Sequence, residues 1–505
     1  MSTVTVLPND IHNQRLVENV HPPAWENPKP DGTYNLVVVG AGTAGLVTAA
    51  GAAALGAKVA LVERHLMGGD CLNVGCVPSK GLIRAGRALA DVRDAGEFGV
   101  RVPKGTTVDF GAVMERMRML RAKISPNDSV QRFSDLGIDV FLGHGKFVSP
   151  KAIEVDGTGL SFSRAVIATG ARAMAPPIPG LDDAGHLTNE TIFTLTELPK
   201  RLAVIGAGPI GCEMAQSFAR FGSLVYLLEL SDHILPKEPH HISKVVEDAM
   251  DRDGVNLIKR CKTSRVEASR GGKTIHFECD GDNRTVEVDE ILVGVGRAPN
   301  VANLGLEAAG VAYDSRVGVT VNDYLQTTNR RVYAAGDISS KFKFTHTAEF
   351  LAAIATQNSL FMRTKKASSL TIPWSTFTDP EVAHVGLYPA DGAALGVDTT
   401  TYTYKLDEVD RAILDGEENG FAEIYVKKGT DKILGATIVA RHAGEMINEI
   451  TLAITAGAGL GAITATIHPY PTQAEVIRKV AREYYKTRLT PRVKKLMERW
   501  MRFRR

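Results

Sequence analysis

At 505 residues the chain is longer than one hydrophobic core usually supports, so two or three domains are expected. Hydrophobic residues at 44% and charged residues at 23% exclude a disordered or low-complexity chain, and five cysteines are too few and too uneven for a secreted disulfide framework. The net charge of +2 is uneven: residues 482–505 carry ten Lys/Arg against Glu483 and Glu498, so the body is mildly acidic and is not a nucleic-acid binder by charge. No apolar run approaches the ~20 residues that span a bilayer, and the first thirty residues hold no apolar signal core, so a cytoplasmic enzyme is expected.

Residues 1–32 are polar and broken by prolines (Pro22, Pro23, Pro28, Pro30) and read as an extended N-terminal arm. A buried-strand pattern, Tyr34 to Val39, runs into Gly40-Ala41-Gly42-Thr43-Ala44-Gly45. An Ala-rich helix then carries the chain through Leu55, and Lys58 to Glu63 reads as the next strand. A second copy follows. Leu202 to Ile205 is a strand, Gly206-Ala207-Gly208-Pro209-Ile210-Gly211 a turn, the helix runs through Phe221, and Ser223 to Glu229 returns as a strand. Ala165 to Gly170 and Glu290 to Gly296 read as further short strands. From about Ile372 the texture changes to alternating strands, Ala422–Lys427 and Ile433–Val439, with helices between, as expected of a separate α+β domain.

Each G-x-G-x-x-G follows a strand, opens a helix, and has an acid about 20 residues on, Glu63 and Glu229. The first glycine (Gly40, Gly206) allows the tight turn. The second (Gly42, Gly208) lets backbone approach a pyrophosphate, and the third (Gly45, Gly211) packs helix on strand. The helix N-termini offer unpaired N–H groups to the phosphates. Two such units imply two dinucleotides. A carboxylate at Glu229 accepts from a ribose 2′-hydroxyl and repels a 2′-phosphate, so NADH is preferred over NADPH, although Lys237 lies near in sequence.

The most specific segment is Gly68-Gly69-Asp70-Cys71-Leu72-Asn73-Val74-Gly75-Cys76-Val77-Pro78-Ser79-Lys80. Side chains at this separation on a regular helix point ~140° apart, so joining the two cysteines needs a distorted turn, for which Gly75 and Pro78 supply freedom and a break. The segment resembles the redox motif of the pyridine nucleotide–disulfide oxidoreductases, among them dihydrolipoamide dehydrogenase, glutathione reductase and mercuric reductase. The resemblance covers roughly residues 33–490 in family order.

The resemblance implies an α/β fold with two Rossmann-like dinucleotide-binding domains and a C-terminal α+β dimerisation domain. FAD would occupy 33–180 and 300–368, NAD(P) would occupy 181–299, dimerisation would use 369–485, and 486–505 would remain as a basic amphipathic tail. It also implies that Cys76 faces the flavin, that Cys71 is the interchange thiol, and that Lys80 sits at the flavin and pairs with Glu213. Further implied cofactor contacts are Gly69, Ala168-Thr169-Gly170, Gly296 in Gly294-Val295-Gly296-Arg297-Ala298-Pro299-Asn300, Asp337 in Tyr333-Ala334-Ala335-Gly336-Asp337, and Thr347 with Ala348. The active site of the family is shared between the subunits of a homodimer.

Disulfide reductases of this family end in His-Pro-Thr-x-x-Glu, whose His serves the interchange thiol of the other subunit and whose Glu orients that His. The chemistry needs a group titrating near neutral pH. Here the segment is His468-Pro469-Tyr470-Pro471-Thr472-Gln473-Ala474-Glu475, so an ungapped alignment on Glu475 puts Tyr470 at the base position and His468 two residues earlier. A tyrosine titrating near 10 is a poor base at neutral pH. Mercuric reductases carry a tyrosine at this place, which turns the expectation toward a soft metal ion or small electrophile. Two other readings stand beside it: Tyr470 as a packing residue, and His468 retaining the base role across a two-residue insertion.

The mercuric reductase resemblance is incomplete. No cysteine follows Cys279, so the vicinal C-terminal pair of that family is missing, and no Cys-x-x-Cys metal-binding segment occurs. Pro209 stands where glutathione reductases place a tyrosine over the nicotinamide. No structural metal site is expected, with Cys71 and Cys76 as transient soft-metal ligands. The expected function is therefore an FAD-dependent NAD(P)H oxidoreductase acting through Cys71 and Cys76 on a thiol-reactive acceptor. A dihydrolipoamide-type disulfide reductase using His468 and a non-catalytic flavoprotein redox sensor are the alternatives. In the tail, Val493, Leu496, Met497, Trp500, Met501 and Phe503 interleave with basic residues at helical spacing. A solvated helix resting partly on the dimer and a helix docking to anionic lipid or a partner are both open there.

Overall fold

The computed structural model describes residues 4–505, which form two compact units: one runs up to Ile234 and resumes over Asp253–Leu370, and the other combines Leu235–Arg252 with Thr371–Arg505. In the first unit a seven-stranded sheet is built on Tyr34–Val39. That strand pairs in parallel with Val59–Glu63 on one side and Thr158–Ile167 on the other, with Val38 opposite Leu61 and Val166. Val332–Ala334 joins Thr158–Ile167 in parallel, and Gly145–Ser149 with Ala152–Val155 adds an antiparallel flank. The near-continuous apolar run at Leu36–Val39 follows from burial on both faces, where a strand cannot afford an alternating polar side.

A second, four-stranded parallel sheet in the same unit has the order Val255–Ile258, Leu224–Leu228, Arg201–Ile205, Glu290–Val293. Beside it lies an antiparallel three-stranded meander, Cys261–Ser269, Gly272–Cys279 and Asp282–Val288. Cys261 and Cys279 are register partners in that meander and are joined by a disulfide, with Cα atoms 4.3 Å apart. The cysteine count alone gave no sign of this bridge.

The second unit holds a five-stranded antiparallel sheet in the order Pro373–Thr376, Glu381–Gly386, Ile433–Ala440, Phe421–Lys427, Thr399–Lys405. Its core is formed by Ile424, Ile438, Ile447, Ile450 and Val480, the last three contributed by helices Ala443–Thr455 and Glu475–Arg488. This is the α+β texture expected from Ile372 onward.

Of the extended arm expected over residues 1–32, the described residues 4–32 are not extended throughout. Met1 to Thr3 lie outside the described residues, but Ile11–Val20 is a helix whose N-cap Asp10 accepts from Asn13 N at 2.9 Å. Its buried residues Asn13, Leu16, Val17 and Val20 follow helical spacing, and Leu16 and Val20 are fully buried in the core of the first sheet. One of the four is polar, which hides the periodicity in the sequence: Asn13 accepts from the buried Arg121 guanidinium at 2.6 Å. The prolines after His21 do exclude helix there, and Trp25 and Asn27 instead bond to the backbone of Val140 and Leu142.

Candidate active site

The two Gly-rich turns are built alike. Gly40 N donates to Val62 O and Gly206 N to Leu228 O, each at 2.8 Å. Ala41 N donates to Glu63 Oε2 and Ala207 N to Glu229 Oε2, each at 2.7 Å. The second oxygens of the two acids accept from His65 N and Ser231 N, so both carboxylates are fixed at the ends of their strands. A Cβ at Gly45 would lie 1.8 Å from Gly40 O, and one at Gly211 would lie 2.0 Å from Gly206 O, so neither helix could pack as it does with a larger residue. The helices Thr43–Ala54 and Pro209–Phe221 begin at Gly42 and Gly208 with no side chain capping them, leaving their N–H groups to an anion.

Distant segments converge on the first turn. Gly69, from the cysteine segment, packs so closely on Gly42 that a Cβ would stand 2.7 Å from its Cα. Ala168 N donates to Val39 O at 2.8 Å, which brings Ala168-Thr169-Gly170 beside Gly40. Thr169 and Asn300 exchange hydrogen bonds of 3.0 and 2.9 Å, and Arg297–Pro299 pairs antiparallel with Ala171–Ala173, joining the two short motifs. Gly296 O accepts from Met174 N at 3.1 Å in the same junction. Gly336 packs against Ala44 and Ala348, and Asp337 lies 3.6 Å from Arg297 Nε. Arg297 also bonds Asp70 and donates to Ala171 O. Burial pushes the Asp337 carboxyl up. Burial opposes the charge on Arg297, yet Asp70 and Asp337 raise its pKa.

These features fit FAD in the first cradle. The helix N-terminus at Gly42 is uncapped, and Thr347 Oγ1 is buried without a hydrogen-bond partner in the first turn of Thr345–Leu360. Arg297 Nε is likewise without a hydrogen bond. The second cradle fits a nicotinamide dinucleotide by the same uncapped turn.

The cysteine segment forms two helices, Gly69–Asn73 and Cys76–Asp94, separated by Val74 and Gly75. A Cβ on Gly75 would approach Asp70 O to 2.7 Å, so glycine allows the break that turns the two sulfurs together. Cys71 and Cys76 are unbridged; Cys71 is half-buried and Cys76 exposed. Cys76 is drawn down to about 6, first by the hydrogen bond from Cys71, then by Thr345 and the Lys80 charge. Cys71, holding the shared proton, is pushed up. Thr345 Oγ1 lies 3.4 Å from Cys76 Sγ, and Lys80 Nζ donates to the buried Glu213 Oε2 at 2.9 Å. Cys76 opens its helix, where the dipole also favours a thiolate. Thr345 was not singled out from the sequence, and neither was the side chain of Arg297. A hydroxyl in the first turn of a helix has no distinguishing pattern, and Arg297 stood inside a motif valued for its glycines.

In the second unit, His468 Nε2 bonds Glu449 at 2.9 Å, and its Nδ1 lies 3.2 Å from Thr466 O. Glu475 is engaged by Arg478 at 2.7 Å, so Glu449 rather than Glu475 orients His468. Tyr470 is 69% exposed and its hydroxyl donates to Asp410 Oδ2 at 2.8 Å, an interaction that raises the tyrosine pKa further. Among the described residues no cluster of three or more His, Cys, Asp or Glu side chains is arranged to hold a metal ion. No helix among them is long and apolar enough to cross a membrane.

Comparison with known proteins agrees with this geometry. Residues 34–352 match the Pyridine nucleotide-disulphide oxidoreductase family, and residues 372–481 match its dimerisation domain. The chain is 36% identical to a mercuric reductase of Bacillus cereus over 88% of its own length and 70% of the relative. It is 34% identical to a dihydrolipoyl dehydrogenase of Chlamydia muridarum, covering 88% and 95% of the two chains. Among solved structures it resembles the Cu(II) complex of the HOCl-induced flavoprotein disulfide reductase RclA from Escherichia coli, with a TM-score of 0.78 and 27% identity over 88% of this chain and 98% of that one. With a thiol pair between two matched dinucleotide cradles and a matching dimerisation domain, the chain belongs to the pyridine nucleotide–disulfide oxidoreductase family.

Proposed function

We propose that the protein is an NADH-preferring, FAD-dependent oxidoreductase whose Cys71/Cys76 pair reduces a soft metal ion or another small thiol-reactive acceptor rather than a dithiol substrate. Bound FAD supplies the relay of two electrons from the nicotinamide to the cysteine pair. The remaining roles belong to the chain. Arg297 and Asp337 fix the flavin-side backbone, and Lys80, held by its ion pair with Glu213, keeps a cation beside Cys76. Cys71 donates its proton to the shared hydrogen bond, so Cys76 is held as a thiolate near neutral pH. A polarizable thiolate beside a thiol is a two-ligand site for a soft ion, which needs no bulky substrate groove.

The observation that carries this reading is the contrast between Tyr470 and His468. A dithiol substrate needs a base with a free nitrogen near neutral pH. Both ring nitrogens of His468 are occupied within its own chain, whereas the exposed residue presented by this segment is a tyrosine. In a homodimer of the family type, Tyr470 of one subunit would serve the thiol pair of the other. The identity to mercuric reductase and the Cu(II) named for RclA support a metal acceptor. The fixed Glu229 carboxylate supports NADH over NADPH, and dependence on that intracellular reductant supports a cytoplasmic setting.

The test is NADH oxidation by the holoenzyme with lipoamide, glutathione disulfide, Hg(II)–thiol and Cu(II) complexes, in the parent, Tyr470→Phe and His468→Ala. Turnover with a metal complex should exceed that with either disulfide by at least about tenfold, and Tyr470→Phe should reduce it. Faster lipoamide turnover that is abolished in His468→Ala but intact in Tyr470→Phe would establish the disulfide reductase instead. The sensor reading predicts no turnover with any of the four.

A further inference from the structure

The last two helices of the chain are both amphipathic but differ in how they are used. Glu475–Arg488 buries Val476, Ile477, Val480, Ala481 and Tyr484 in the core of its unit. Pro491–Phe503, which follows directly, buries none of its residues. It is nevertheless a well-formed helix: Thr490 caps it by accepting from Val493 N, and Pro491 occupies its first turn. It also lies beyond the matched dimerisation domain, which ends at residue 481.

At 100° per residue, Val493, Leu496, Met497, Trp500, Met501 and Phe503 fall in one arc of roughly 160°, with Trp500 and Val493 near its centre. The five residues from Leu496 to Phe503 in this arc are each at least half exposed, and Phe503 is 82% exposed. Arg492 and Arg499 border the arc on one side and Lys494 on the other. Lys495 and Arg502 lie opposite, and Glu498 is the only acid on the helix. We propose that this helix is a docking surface for an anionic lipid bilayer, lying in the interface with the apolar arc inserted and the flanking arginines and lysine at headgroup level.

Charge decides the occupant. Long basic side chains on both borders of an apolar face can bury their stems beside acyl chains while their heads meet anionic headgroups. A tryptophan at the centre of that face suits the same boundary, and Arg504 stacks over it at 6.0 Å. A seam between two copies of this helix would instead bring two surfaces of the same strong positive sign together. The proposal is independent of the acceptor reduced at Cys71 and Cys76.

The test is co-sedimentation of the full-length holoenzyme with vesicles of phosphatidylcholine alone or of phosphatidylcholine with phosphatidylglycerol. Parallel samples would be a chain ending at Leu489 and a Lys494→Glu/Arg499→Glu variant, which reverses one basic residue on each border of the arc. Binding should appear only on the anionic vesicles, disappear on truncation, and weaken by at least about tenfold in the charge-reversed variant, each basic residue near the surface contributing roughly fivefold. Tryptophan emission should shift to the blue on anionic vesicles and stay unshifted in Trp500→Phe, since the remaining Trp25 and Trp374 lie elsewhere. Light scattering should give the same subunit number for full-length and truncated protein. Absence of binding to anionic vesicles, or equal binding by the truncated chain, overturns the proposal. Loss of dimer mass on truncation also overturns it and assigns the apolar face to the subunit seam.

Discussion

The sharpest consequence of the active-site geometry concerns the proton shared by Cys71 and Cys76. With Cys76 drawn down to about 6, about nine-tenths of it is thiolate at pH 7, whereas an ordinary cysteine titrating near 8.5 would be about 3% ionised. The hydrogen bond from Cys71 is the largest of the causes, ahead of Thr345 and Lys80. Cys71→Ala removes that donor and leaves the other two. The Cys76 midpoint should therefore rise by roughly one to two units, cutting the thiolate fraction at pH 7 to between about a half and a tenth. The midpoint can be read from the pH dependence of iodoacetamide alkylation, with the labelled peptide located by mass spectrometry. Cys212 is buried and Cys261 is bridged to Cys279, so neither competes for the label. Cys71→Ser, which retains a donor, should move the midpoint less than alanine does. An unchanged midpoint in Cys71→Ala would refute the shared-proton account and leave the cation and the helix dipole as the activating groups.

Thr345→Val deletes the second donor and should raise the same midpoint by about half to one unit, measured by the same alkylation profile. In the second unit, burial lowers His384 to about 3, so the folded chain keeps it neutral between pH 3 and 6.5 while the unfolded chain binds a proton. Stability of that unit should accordingly fall as pH drops from about 6.5, by about 3 kcal/mol at pH 4, and His384→Gln should flatten that dependence in urea unfolding at pH 7 and pH 4. Leu16→Ala should cost about 2–5 kcal/mol in urea unfolding because Leu16 is fully buried in the first core; a free arm would lose nothing.

The parts of this protein legible in its sequence are those whose physics is local. A strand running into a glycine turn and a helix is a contiguous pattern, so both cradles and their acids could be read at Gly40 to Glu63 and Gly206 to Glu229. The short separation of Cys71 and Cys76 and the lysine one turn on were equally visible, while pairing Lys80 with Glu213 needed the family resemblance. Features that depend on side chains meeting across long sequence separations were not visible. The Ile11–Val20 helix was hidden because Asn13, a polar residue, is buried by a hydrogen bond from Arg121. The Cys261–Cys279 bridge depends on strand register, which two isolated cysteines do not announce.

By itself, the sequence determined two glycine-rich dinucleotide cradles and a closely spaced cysteine pair between them in the chain, because each motif carries its geometry within a few residues. The tertiary structure decided how that pair is tuned, since Thr345 and Arg297 reach it or its flank only when helices and strands far apart in the chain pack together. It also decided what the C-terminal segment presents. His468 and Tyr470 are two residues apart in sequence, yet packing gives the imidazole to Glu449 and the exposed surface to the phenol.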